Sequence, residues 1–76
     1  MTIKQAFQEI VNHRNEPSLN WAVNYAEAGL YMEDGSEEQR VQCLYTVGNI
    51  SRWRGPLAKE VRETLKKGGK YVYGKK

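Results

Sequence analysis

Apolar residues in this chain recur at every third or fourth position in four separate runs, and proline or glycine stands between one run and the next. That spacing lays side chains along one face of a helix, so it constrains the fold more than any other feature of the chain. The first run is Ile3, Ala6, Phe7, Ile10 and Val11. Thr2 and Gln5 stand ahead of it with capping-box spacing, in which each side chain satisfies the other's free backbone N–H. Asn15-Glu16-Pro17 ends it, because the residue before a proline is pushed out of the α region.

Ser18 is the expected cap of a second helix that runs to about Met32. Its apolar residues cover more than half the circumference: Leu19, Ala22, Val23, Ala26 and Leu30 on one side, Trp21, Tyr25, Ala28 and Met32 on another. Asn20, Asn24 and Glu27 form its polar strip. After the turn Glu33-Asp34-Gly35, Ser36 and Gln39 repeat the capping-box spacing, and Glu37 and Glu38 sit where the helix dipole favours negative charge. The third helix is expected to reach about Trp53. Val41, Leu44, Tyr45 and Gly48 make one flank, Cys43, Val47 and Ile50 the other, and Gln42, Thr46 and Asn49 a polar strip. Gly55-Pro56 breaks the chain, and a fourth helix over 56–67 carries the single stripe Leu57, Ala58, Val61 and Leu65, with Gly68-Gly69 as its stop.

The expected fold class is all-α: a small four-helix bundle forming one domain over 1–67, with a flexible basic C-terminal tail over 68–76. Helices two and three, apolar on two sides, are expected in the centre, flanked by one and four. The alternative is that part of a wide face is a homodimer interface. Leu, Ile, Val and Phe number only 15 of 76, so the two Trp and five Tyr are expected to carry an unusual share of the burial. A lone cysteine, Cys43, excludes an internal disulfide and a cysteine-built zinc site. Met1-Thr2-Ile3-Lys4-Gln5 shows no apolar run of a signal peptide and no segment reads as a membrane span, so the expected address is the cytoplasm.

Enzymatic function is not expected. Nucleophilic catalysis needs a nucleophile, a base and an orienting group together. The chain's one histidine, His13, lies at the edge of a stripe, and Cys43 reads as core. The pairs Glu33-Asp34 and Glu37-Glu38 mark a helix start, without the ligand spacing of a calcium loop. No glycine-rich phosphate loop opens a helix, and neither cofactor nor metal is expected.

Charge divides the chain. Residues 1–51 hold three basic and seven acidic residues, net −4; residues 52–76 hold nine basic and two acidic, net +7. Arg52, Arg54, Lys59, Arg62, Lys66, Lys67, Lys70, Lys75 and Lys76 are therefore candidate contacts to nucleic acid, with Lys59, Arg62 and Lys66 on one side of the fourth helix. Tyr71 and Tyr73 interleave with the tail lysines as stacking groups would. The third helix, the Arg54-Gly55-Pro56 corner and the fourth helix have the order of a helix-turn-helix. A leading turn of Pro56, Leu57 and Ala58 offers base edges almost nothing, so backbone contact is the better reading. Trp53, Tyr31, Tyr71 and Tyr73 are the candidate anchors for a protein partner. For Trp53, the favoured alternative is that it folds back to seal the corner between helices three and four.

Leu44-Tyr45, Asn49-Ile50, Trp53-Arg54-Gly55, Ala58-Lys59-Glu60-Val61-Arg62 and Leu65-Lys66-Lys67 resemble a segment of small proteins of bacteriophages and related mobile elements. The resemblance spans roughly residues 44–67 and implies a phage-like origin and a host-cell cytoplasm. Such proteins have no assigned activity to carry over, and small phage proteins are often non-catalytic binders. Two expectations follow: an accessory protein contacting nucleic acid through its basic end, or a protein-binding module acting as an adaptor, an inhibitor or a self-associating part.

Overall fold

A computed structural model describes residues 1–70 of the chain. Among the described residues there are four α-helices and no strand: α1 (Ile3–Asn12), α2 (Asn20–Gly29), α3 (Glu37–Gly48) and α4 (Pro56–Gly69), with one 3-10 turn at Pro17–Leu19. The all-α bundle is therefore the fold. Each helix packs on two others, α1 on α2 and α4, and α3 on α2 and α4. Helices α2 and α3 pair and are flanked as expected, but α1 and α4 also meet. The ring this closes leaves one side of every helix in water.

The helix starts follow their caps. Thr2 and Gln5 form the reciprocal box, with N–H to oxygen distances of 2.8 and 3.0 Å. At α3 the box is only half made. Ser36 Oγ accepts from the Gln39 N–H at 3.0 Å, while the Gln39 carboxamide reaches one residue further, to the Gly35 N–H (2.9 Å) and the Asp34 carboxylate (3.0 Å). Ser18 is not the cap of α2: its hydroxyl donates to Glu16, and the 3-10 turn begun by Pro17 leads into the helix without a side-chain cap.

Three helix ends differ from expectation. Helix α2 stops at Gly29 and α3 at Gly48, short of Met32 and Trp53, each followed by a looser turn. Helix α4 instead runs through Gly68-Gly69, which do not stop it. These two glycines sit where α4 meets its neighbours: a Cβ on Gly68 would stand 2.6 Å from Ile3, and one on Gly69 2.6 Å from Leu44. Close approach, not a turn, is what requires them, and the helical domain extends two residues past the expected boundary.

The core consists of Ala6, Phe7, Ile10, Leu19, Ala22, Ala26, Cys43, Ile50, Trp53, Ala58, Val61 and Leu65. Aromatic burial is thus not its basis. Trp53 and Phe7 are inside, whereas Trp21, Tyr25, Tyr31 and Tyr45 are exposed. Four alanines among twelve core residues let the helices approach closely, and a thin interior has little room for further rings.

Helix α3 turns only one of its two apolar flanks inward, with Cys43 buried and Val47 half-buried, and takes polar side chains in with it. Gln39, Gln42 and Thr46 are buried, while Leu44, Tyr45 and Gly48 face outward and Val41 is half-buried. The buried polar groups all have partners: Gln42 Nε2 donates to the Tyr25 carbonyl at 2.7 Å, and Thr46 Oγ1 to the Gln42 carbonyl at 2.7 Å. A polar side chain inside costs little once it is bonded, and among the described residues no buried side-chain nitrogen or oxygen lacks a partner.

Candidate functional site

The corner between α3 and α4 is built first by the backbone. Gly55, with φ of 111°, takes a conformation that side chains disfavour, and Pro56 then opens α4. Trp53 folds back under this corner and is only 6% exposed, so it seals the fold and offers no anchor to a partner. The His13 ring, at the end of α1, packs on it with centroids 5.5 Å apart. Arg62, half-buried on α4, donates from Nη1 to the carbonyl oxygens of Ile50 (3.3 Å) and Trp53. That guanidinium clamps the corner. As a phosphate contact Arg62 is withdrawn, because burial and two carbonyl acceptors occupy the group that would have to reach outward.

The remaining cations do face water. Arg52, Arg54, Lys59, Lys66, Lys67 and Lys70 are exposed, and none makes an ion pair among the described residues. At 100° per residue, Lys59 and Lys66 fall within ~20° of one another and stand ~10 Å apart along α4, and Lys70 follows at its end. Arg52 and Arg54 stand in the turn between α3 and α4, Arg52 beside Trp21, Gly48 and Asn49. Lys67 lies on the next ridge, beside Glu60 and Glu63. The opening turn of α4 is packed inward, with Ala58 buried and Leu57 half-buried, so no recognition surface leads the helix. Lys75, Lys76, Tyr71 and Tyr73 lie outside the described residues.

A second surface was not singled out from the sequence. Trp21 (75% exposed), Tyr25 (38%), Leu44 (50%) and Tyr45 (56%) line the outer side of α2 and α3. The Tyr25 and Tyr45 rings meet with centroids 5.9 Å apart. Tyr31, beyond the end of α2, stands 90% exposed. The two-sided apolar pattern of helices two and three was the signal for this face. Reading it required knowing that the polar flank of α3 turns inward.

The His13 Nδ1 donates to the Glu9 carbonyl at 2.8 Å, and among the described residues no three His, Cys, Asp or Glu side chains form a metal-holding set. Cys43 is fully buried, and burial pushes its thiol up from 9.0 to about 11, so it is protonated at neutral pH. No described helix is long and apolar enough to cross a membrane. No protein-family model matches this chain, and searches of curated proteins and of solved structures find no match either.

Proposed function

We propose that the chain is a small non-enzymatic accessory protein of phage type that contacts nucleic acid without sequence preference through its basic edge. Arg52, Arg54, Lys59, Lys66, Lys67 and Lys70 do this work, as point and planar cations on phosphate. The carrying observation is that all six are solvent-exposed with no ion pair among the described residues. Exposed cations without ion pairs attract a polyanion at no cost in broken salt bridges. Base reading is not part of the proposal, since the first turn of α4 is spent on packing. The reducing cytoplasm is the compartment that fits a lone, buried, protonated cysteine.

Fluorescence anisotropy with labelled single- and double-stranded oligonucleotides tests this. Engagement of four to six phosphates predicts an affinity loss of about 10²- to 10³-fold between ~50 and ~200 mM salt. Lys59→Glu with Lys66→Glu should lower low-salt affinity by at least ~10-fold and flatten the salt slope. Absence of binding at ~50 mM salt, or binding that ignores both salt and the charge reversals, would reject the basic edge as the working surface.

A further inference from the structure

We propose that a second copy of this chain covers the outer face of α3, in an antiparallel α3–α3 pairing about a two-fold axis at Tyr45. The face has the size for it. At ~150–250 Å² per ring, Trp21, Tyr25 and Tyr45 alone expose roughly 350 Å², before Leu44 and the polar margin are added. A standard interface takes about 800 Å² from each partner, and exposed apolar patches beyond a few hundred Å² mark interaction sites.

The occupant is read from spacing and charge. Glu38, Val41, Tyr45 and Gly48 stand on α3 at intervals of three, four and three, the seam spacing of paired helices, and Arg52 follows in the turn beyond the helix end. Its middle is apolar and uncharged, and its two ends carry opposite charge. Glu38 lies in the first turn of α3 and Arg52 in the turn that follows its end. Both are exposed and neither makes an ion pair among the described residues. Arg52 lies at the end of the seam, lining a groove with Trp21, Gly48 and Asn49.

An antiparallel copy centred on Tyr45 brings the Glu38 end of one α3 toward the turn that carries Arg52 in the other, twice over by symmetry. The same register puts Val41 against Gly48 and Asn49 of the second copy, bulk against a small residue. A Cβ on Gly48 meets nothing within 4 Å, so the recess there is open to a neighbour. A parallel pairing would instead set Glu38 against Glu38 and Arg52 against Arg52, and like charges at both ends disfavour it.

Sedimentation velocity of the full chain, with no nucleic acid present, tests the pairing apart from the basic-edge reading. At about 50 µM chain the expected species has twice the 8.8 kDa chain mass. Glu38→Arg and Arg52→Glu should each weaken the dimer at least ~10-fold, and the two together should restore it to within ~3-fold of wild type. Tyr45→Ala should be monomeric with its helical circular dichroism intact, which separates lost pairing from lost folding. Monomeric wild type at that concentration, a dimer indifferent to the single reversals, or a double variant no better than the singles would each overturn the proposal.

Discussion

The two apolar flanks of α3 have different fates: Cys43 and Val47 turn inward together with polar neighbours, while the flank of Leu44 and Tyr45 turns outward. Gln39, Gln42 and Thr46 are inside, and Leu44, Tyr45 and Gly48 are outside. Burial in a thin bundle is decided by fit and by bonding as much as by apolar area. The inner polar side chains reach the Tyr25 carbonyl, the Gly35 N–H and their own helix backbone, so their desolvation is compensated. The outer flank gains little from its own fold, Leu44 touching α4 beside Gly69 and Tyr45 meeting Tyr25, while Leu44 and Tyr45 stay about half exposed. Its contribution is to whatever meets the surface.

The largest effect that sharpens this contrast compares the two tryptophans. Trp53→Ala removes a buried ring that packs on His13 and roofs the corner held by Arg62, and should cost about 3–5 kcal/mol of unfolding free energy. Trp21→Ala, at a ring 75% exposed, should stay within ~0.5 kcal/mol. Urea unfolding of both variants at low concentration measures the difference; equal losses would break the division between inside and outside.

A smaller effect concerns Cys43 on the inner flank. Its folded pKa of about 11 lies above the ordinary 9.0, so between those values the folded chain holds a proton that the unfolded chain has released. Stability is untouched by this group below pH 9 and falls as pH rises toward 11, by about 2 kcal/mol. Cys43→Ala should lose that slope, whatever its own baseline stability, in unfolding curves taken across the same pH range. A wild-type slope that survives the substitution would assign it to other groups.

The smallest effect lies on the outer flank. Gly48 is helical, exposed and free of any crowding neighbour, with no positive φ. Gly48→Ala should therefore raise the thermal stability of the single chain, by about 0.5–1 kcal/mol. A loss instead would mean that this part of α3 is not the open surface described.

Much of the fold was legible in the chain. The Thr2–Gln5 box, the breaks at Pro17, Gly35 and Gly55-Pro56, the stripe on α4 and the sealing role of Trp53 are all local signals, and each stands in the structure. What was not legible depends on partners distant in sequence. Gln42 reads as a surface residue until the Tyr25 carbonyl, 17 positions away, is beside it. Arg62 reads as one more cation until the corner presents two carbonyls to it. Gly68-Gly69 reads as a stop because its packing against Ile3 and Leu44 is invisible along the chain. The candidate site was legible as charge at Arg52, Arg54 and the lysines of α4. The aromatic face was not, because periodicity reveals that a helix has two apolar sides without saying which one the neighbours will cover.

The most direct measurement is urea unfolding of Gln42→Ala beside Tyr45→Ala at about 1 µM chain, where copies of the chain are separated. The polar residue should prove the structural one: loss of its bond to the Tyr25 carbonyl should cost about 1–3 kcal/mol, while Tyr45→Ala leaves stability within ~0.5 kcal/mol. The reverse ranking, with Tyr45 needed and Gln42 dispensable, would contradict the orientation of α3 and the aromatic face that depends on it.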